Sequence, residues 1–147
     1  MTEQTLPGPM SEIVDEFQAV EDRQRLELLL EFSHELPELP EEHRDSYENM
    51  EEVVECQSPL FLTVEFDDDA GRSHLILAAP PEAPTTRGFA SIIHQGLSGL
   101  TYDEILATPE DLAERLGLAR AITPLRLRGL TAMLARIKRN IRDHLAE

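Results

Sequence analysis

Residues 60–79 read LFLTVEFDDDAGRSHLILAA, and this stretch decides the fold. Leu60, Leu62, Val64 and Phe66 alternate with Phe61, Thr63 and Glu65, the period of two that sends successive side chains to opposite faces of a half-buried strand. Leu75, Leu77 and Ala79 repeat that alternation further on. DDDAG lies between the two runs, with Gly71 free to take positive φ, so the runs are predicted to be antiparallel neighbours. The three Asp invite a calcium-loop reading, but Gly71 falls at the fifth loop position and no Glu stands at the twelfth. Two strands make no independently stable sheet. A third is therefore expected at Val53–Val54 or a neighbour, with helices covering a small antiparallel sheet.

The helices are legible on either side. Residues 1–10, with two Pro and one Gly, read as a loose tail before a single domain over 11–147. Ser11 is expected to cap a helix with Ile13, Phe17 and Val20 on its apolar face, and Leu26, Leu29 and Leu30 continue the pattern in a second helix or a bent first one. LPELPEEHRDSYENMEE at 36–52 has little apolar periodicity and reads as a surface connection. Past the Pro-rich APPEAP corner, Thr85 or Thr86 is expected to cap a helix carrying Phe89, Ile92, Ile93, Leu97 and Leu100. Thr101 and Glu104 match a capping box, Thr108-Pro109 reads as the start of a short helix ended by Gly117, and Thr123-Pro124 opens the longest helix. On that last helix Leu127, Leu130, Leu134, Ile137 and Ile141 recur at steps of three and four. The fold class is α+β, with about three strands packed against several helices.

Composition bounds the function. The chain has 147 residues and hydrophobic residues make up 41% of it, enough for one aliphatic core. A formal net charge of −16 opposes nucleic-acid binding, which needs a basic surface, and repels anionic membranes. There is no apolar run near the roughly 20 residues of a membrane span and no export signal, so a cytoplasmic protein is expected. Charge is also segregated. Glu31 to Glu55 holds ten acidic residues and one basic, Arg44, whereas six of the thirteen Lys and Arg lie between Arg126 and Arg142. His34, His43, His74, His94 and His144 show no metal-ligand spacing, and one cysteine cannot by itself hold an iron–sulfur cluster, so no cofactor or metal is expected on this chain.

The one cysteine, Cys56, is the remaining chemistry. Free cysteines are usually buried and inert. Glu55, Gln57, Ser58 and Pro59 nevertheless place this one at a loop-to-strand boundary, where a side chain can be presented. Glu51, Glu52 and Glu55 oppose ionisation of the thiol, so a cation from elsewhere in the fold or from a partner is required to activate it. Arg126 is one candidate, because in the first turn after Thr123 the helix macrodipole disfavours positive charge and its placement there asks for a reason. Arg87 is a second.

Four pieces occur in order: Glu-Leu-Pro-Glu-Leu at 35–39, Cys-Gln-Ser at 56–58, Arg87-Gly88 at a helix start, and Thr-Pro-x-Arg-x-x-Gly-Leu at 123–130. Together they resemble the SufE family of sulfur acceptors over residues 11–141. The resemblance implies the α+β fold shared with IscU-type scaffolds, and a cysteine that takes persulfide sulfur from a pyridoxal-phosphate-dependent, SufS-type cysteine desulfurase. It implies further that the sulfur passes to a SufBCD-type scaffold complex. Cys56 is then the sulfur acceptor, Arg126 matches the family arginine, and Glu55, Gln57, Ser58 and Arg87 are implied partner contacts. The carrier itself is a monomer or dimer. Two departures stand out: Glu55 where relatives often have Gly, and APPEAPTT, with Glu82 alone, where an acidic stretch commonly precedes Arg-Gly. Two other classes remain open on the residues, an acidic interaction module with an incidental cysteine and a Cys56-based redox sensor.

Overall fold

In the computed structural model, which describes residues 6–39, 50–56 and 58–147, the hairpin forms as its alternation requires. Strand β2 (Phe61–Asp67) pairs antiparallel with β3 (Arg72–Ala78), with Phe61 opposite Ala78 at the open end and Asp67 opposite Arg72 at the turn. Gly71 takes φ +67°, and Asp67 Oδ1 accepts the Ala70 N–H at 3.2 Å. The third strand, β1 (Glu51–Glu52), is the neighbour of Val53–Val54, not that pair itself, and gives the order β1-β2-β3. Val53 extends the ladder by one bond, donating its N–H to Leu60 O at 2.9 Å. Val54 instead turns to solvent.

The inward face of the sheet carries Leu60, Leu62, Val64, Leu75 and Leu77 into the main core. On the other face Ile76 and Ala78 pack with Met50, Leu39 and Phe61. β3 is thus covered on both sides, more than its alternation implied. Its free edge is also closed: Gly99 N–H donates to Ser73 O at 2.7 Å and Ser73 N–H to Leu100 O at 3.0 Å. That pairing satisfies backbone groups an open edge would expose.

The first two helices are separate: α1 (Gly8–Gln18) and α2 (Asp22–Ser33), the latter opened by a capping box between Glu21 and Gln24. α1 begins at Gly8, not at Ser11, so residues 8–10 are part of the domain and not of a loose tail. Pro7 is its N-cap, Pro9 sits where no N–H is needed, and Met10 is fully buried against Gly96. Of the apolar residues expected to face the core from α2, only Leu29 does; Leu26 and Leu30 are exposed. Phe32 takes their place, tilted against Phe17 at 5.6 Å.

α3 (Pro84–Leu97) is the central helix, with Phe89, Ala90, Ile92, Ile93 and Leu97 buried. It begins at Pro84 with Ala83 as N-cap, and neither Thr85 nor Thr86 caps it, because the proline ring already fixes the helical φ at N1. Gly88 lets α2 approach: a Cβ there would lie 2.6 Å from Leu29 Cδ1 and 2.7 Å from its carbonyl oxygen. The Thr101–Glu104 box opens α4 (Tyr102–Leu106) as expected, Thr101 Oγ1 accepting the Glu104 N–H at 3.2 Å. Thr108 caps nothing. It is buried and donates its hydroxyl to Glu104 O at 3.0 Å, and Asp111 is the N-cap of α5 (Leu112–Arg115). Gly117, at φ +71°, ends α5 and leads through a 3-10 turn (Leu118–Arg120) to α6 (Pro124–Leu145), capped by Thr123. α6 buries Leu130, Met133, Leu134, Ile137 and Ile141 along the core. Among the described residues no helix is long and apolar enough to cross a membrane.

Candidate functional site

Cys56 lies in the connection from β1 to β2. Val53 and Leu60, both fully buried, fix the ends of that connection in the sheet. Between them the chain turns back, with Cys56 N–H donating to Val53 O at 3.1 Å. This geometry faces the thiol toward the first turns of α6. A Cβ built on Gly129 would lie 2.8 Å from Cys56 Sγ, so the missing side chain of Gly129 is what lets the half-buried sulfur rest against the helix.

Cys56 also lines a cavity of about 200 Å³, with Ser58, Glu82, Pro84, Phe89 and Arg126 among the other lining residues. The structure therefore brings Cys56, Ser58 and Arg126 to one cavity. Arg126 is exposed, third in its helix, its N–H donated to Thr123 Oγ1 at 3.4 Å. Arg87 is elsewhere. It donates to Ala79 O and to Ser33 O at 3.2 Å, tying the end of β3 to the end of α2. Gln57 lies outside the described residues, as does most of the connection over 36–52.

Glu55 does not point at the cavity. Its Oε1 accepts from Arg136 Nη2 at 2.7 Å, and Glu51 accepts from both Arg136 and Arg139. The acidic and basic blocks of the sequence thus meet across the Cys56 loop. The thiol is pushed up to about 11, first by burial and then by the Glu55 charge, with Arg136 opposing. Like-charge repulsion acts in the expected direction, yet burial is the larger cause. Arg136 is the cation whose charge opposes that rise, and the sequence shows it only as part of a basic block. Gly129 and Phe89 were visible as a motif glycine and a core residue, and nothing in their spacing tied them to Cys56.

Fold and site together define a small α+β domain that holds one sheltered thiol beside an arginine with no carboxylate partner among the described residues. The chain belongs to the SufE family: the family profile described as the SufE Fe-S metabolism associated domain matches residues 11–141. It is 54% identical over 139 residues to an uncharacterized SufE-like protein of Mycobacterium tuberculosis, covering 95% of each chain. It is 31% identical over 131 residues to SufE-like protein 1, chloroplastic/mitochondrial, of Arabidopsis thaliana, 88% of this chain and 33% of that one. The solution structure of a hypothetical protein from Thermus thermophilus superposes with a TM-score of 0.82 at 31% identity, over 97% of this chain and 100% of that one. Family membership places the chain in iron–sulfur metabolism.

Proposed function

We propose that this protein is a sulfur carrier that accepts persulfide sulfur on Cys56 from a cysteine desulfurase. The Cys56 thiolate attacks the outer sulfur of the desulfurase's cysteine persulfide. A new S–S bond forms on Cys56 as the donor's S–S bond breaks, and the donor cysteine leaves as a thiolate that takes up the proton Cys56 gave up. No net oxidation occurs, since one persulfide replaces another. The terminal sulfur is then passed to an assembly scaffold of the SufBCD type, and the pyridoxal phosphate chemistry that generates the first persulfide belongs to the SufS-type partner.

The observation that carries this reading is the pairing of Cys56 with Arg126 on one cavity, in a chain of this family. The cavity is several times the roughly 30 Å³ a water occupies in the liquid, so it has room for an added sulfur. Arg126 supplies a fixed positive charge where a thiolate or persulfide anion would otherwise meet Glu82. Val54, two residues before Cys56, and Leu125, next to Arg126, are 70% and 51% exposed and offer a docking partner apolar contact. With the thiol pushed up to about 11, only about one molecule in ten thousand is ionised at neutral pH. This disfavours the redox-sensor reading, because such sensors depend on a low-pKa thiolate.

The test incubates the protein with a cysteine desulfurase and free cysteine, traps thiols by alkylation and weighs the product. One added sulfur on Cys56, absent in Cys56→Ser, and faster desulfurase turnover are expected. An unmodified Cys56 together with unchanged turnover refutes the proposal.

A further inference from the structure

The Cys56 loop is tied to α6 by charge as well as by packing. Arg136 donates through Nη1 to Glu51 and through Nη2 to Glu55, the residues that precede Cys56 by five positions and by one. Arg139 and Asn140 add donors to Glu51, the latter at 3.4 Å. Arg136 is itself mostly buried, and its Nε finds no hydrogen-bond acceptor, so the two carboxylates are what hold its guanidinium in place. Among the described residues between the buried anchors Val53 and Leu60, Glu55 alone has a side-chain bond to the body of the protein. Val54 is exposed, Ser58 has no such bond, and Cys56 is held by its own N–H and by contact with Gly129. Cutting Glu55 from Arg136 leaves the sulfur with van der Waals contact only.

We infer that Arg136 is a positioning residue for Cys56: by gripping Glu55 it latches the loop to α6 with the sulfur seated on Gly129, and a cationic group on the docking partner that takes over Glu55 frees the thiol. This rests on the reading of Cys56 as a sulfur carrier.

The two members of the pair affect the thiol differently, and that makes the latch testable. Glu55 both holds the loop and disfavours the thiolate, so Glu55→Ala speeds alkylation of Cys56 whichever role matters. Arg136 holds the loop yet favours the thiolate through its charge. If its role is the latch, Arg136→Gln labels several-fold faster than wild type in the absence of any partner; if its role is only electrostatic, it labels more slowly. The double variant is expected to label no faster than the faster single variant, because both single variants already break the same Glu55–Arg136 pair.

Hydrogen exchange of the amides of residues 53–60 gives a second reading that does not depend on thiol chemistry. Glu55→Ala is expected to speed their exchange while the core amides of α3 stay protected. This measurement decides the matter should Arg136→Gln fail to fold. Slower or unchanged labelling in a folded Arg136→Gln, or unchanged exchange in Glu55→Ala, overturns the latch. Both experiments omit the desulfurase, so their failure leaves the persulfide result standing, and the converse holds equally.

Discussion

Cys56 Sγ rests where the side chain of residue 129 would be, 2.8 Å from the position of a Cβ that Gly129 lacks. No real Cβ tolerates that distance, so a methyl group there must move the sulfur. The loop side chain is the softer of the two bodies, because α6 is fixed along its length by core packing. Gly129→Ala is therefore expected to expel the thiol without unfolding the helix. Partner-free alkylation rises, and stability changes little, since Ala gains up to about 1 kcal/mol of helix propensity over Gly against the lost contact. Thermal melts and iodoacetamide labelling check both halves, and unchanged labelling contradicts the seat described for the sulfur.

The raised thiol sets an alkaline limit on stability. An unfolded cysteine ionises near roughly 8.5, whereas Cys56 in the fold holds its proton to about 11. The folded state binds that proton more tightly, so the contribution is fully present below the unfolded value and is lost as pH rises from there through about 11. Urea denaturation at neutral and at alkaline pH is expected to show wild type losing more stability than Cys56→Ala over this window. Equal losses in the two proteins mean that the thiol is not sheltered.

Arg126 is expected to separate function from stability. It is exposed, pairs with no acidic side chain among the described residues, and sits in a first turn where the macrodipole opposes it. Arg126→Ala should thus leave the melting temperature unchanged or slightly raised. Persulfide acceptance from a desulfurase is expected to fall by roughly ten-fold or more, the worth of a hydrogen bond to a charged group. Arg126→Lys recovers part of the rate, because it returns the charge without the planar fork. A wild-type rate in Arg126→Ala removes this residue from the site.

What could be read from the sequence followed the strength of the local signal. The hairpin over 60–79 announced itself through alternation and Gly71, and the starts at Thr101 and Thr123 through capping chemistry, all of which act within a few residues. The sequence points β1 only to Val53–Val54 or a neighbour, because Glu51–Glu52 carry no apolar alternation and their pairing is made by the backbone. The start of α1 is not legible because Met10 is buried in the main core against residues far along the chain, Gly96 among them. At the site, Cys56, Ser58 and Arg126 line one cavity, whereas the Arg87 guanidinium is spent on backbone carbonyls elsewhere. The Arg136–Glu55 pair joins residues 81 apart. Composition shows that opposite charges exist in two blocks, but their register depends on how α6 lies across the sheet.

The far end of α6 offers a control that should move stability and spare chemistry. His144 stacks on Phe66 with ring centroids 3.8 Å apart and planes within 4°, and Tyr102 meets both rings edge-on. Asp68 Oδ1, at the hairpin tip, accepts from Tyr102 Oη and pairs with His144 Nε2, each at 2.7 Å. These bonds hold the Asp68 carboxyl below its ordinary range, and burial together with Asp68 pushes Tyr102 up to about 12. The Asp68 contribution is present above the unfolded carboxyl value of about 3.9 and is lost as pH falls from there through its lower folded value. His144→Ala is expected to cost on the order of 1 kcal/mol, the scale of an aromatic pair. Asp68→Asn should narrow its stability gap to wild type as pH falls and, in a Tyr47→Phe background, return Tyr102 toward its ordinary ionisation near about 10. His144 lies roughly 27 Å along the helix from Arg126 at the α-helical rise. Persulfide acceptance by His144→Ala is accordingly expected at the wild-type rate below its melting temperature, and a matching loss of transfer would show that the two ends of α6 are coupled.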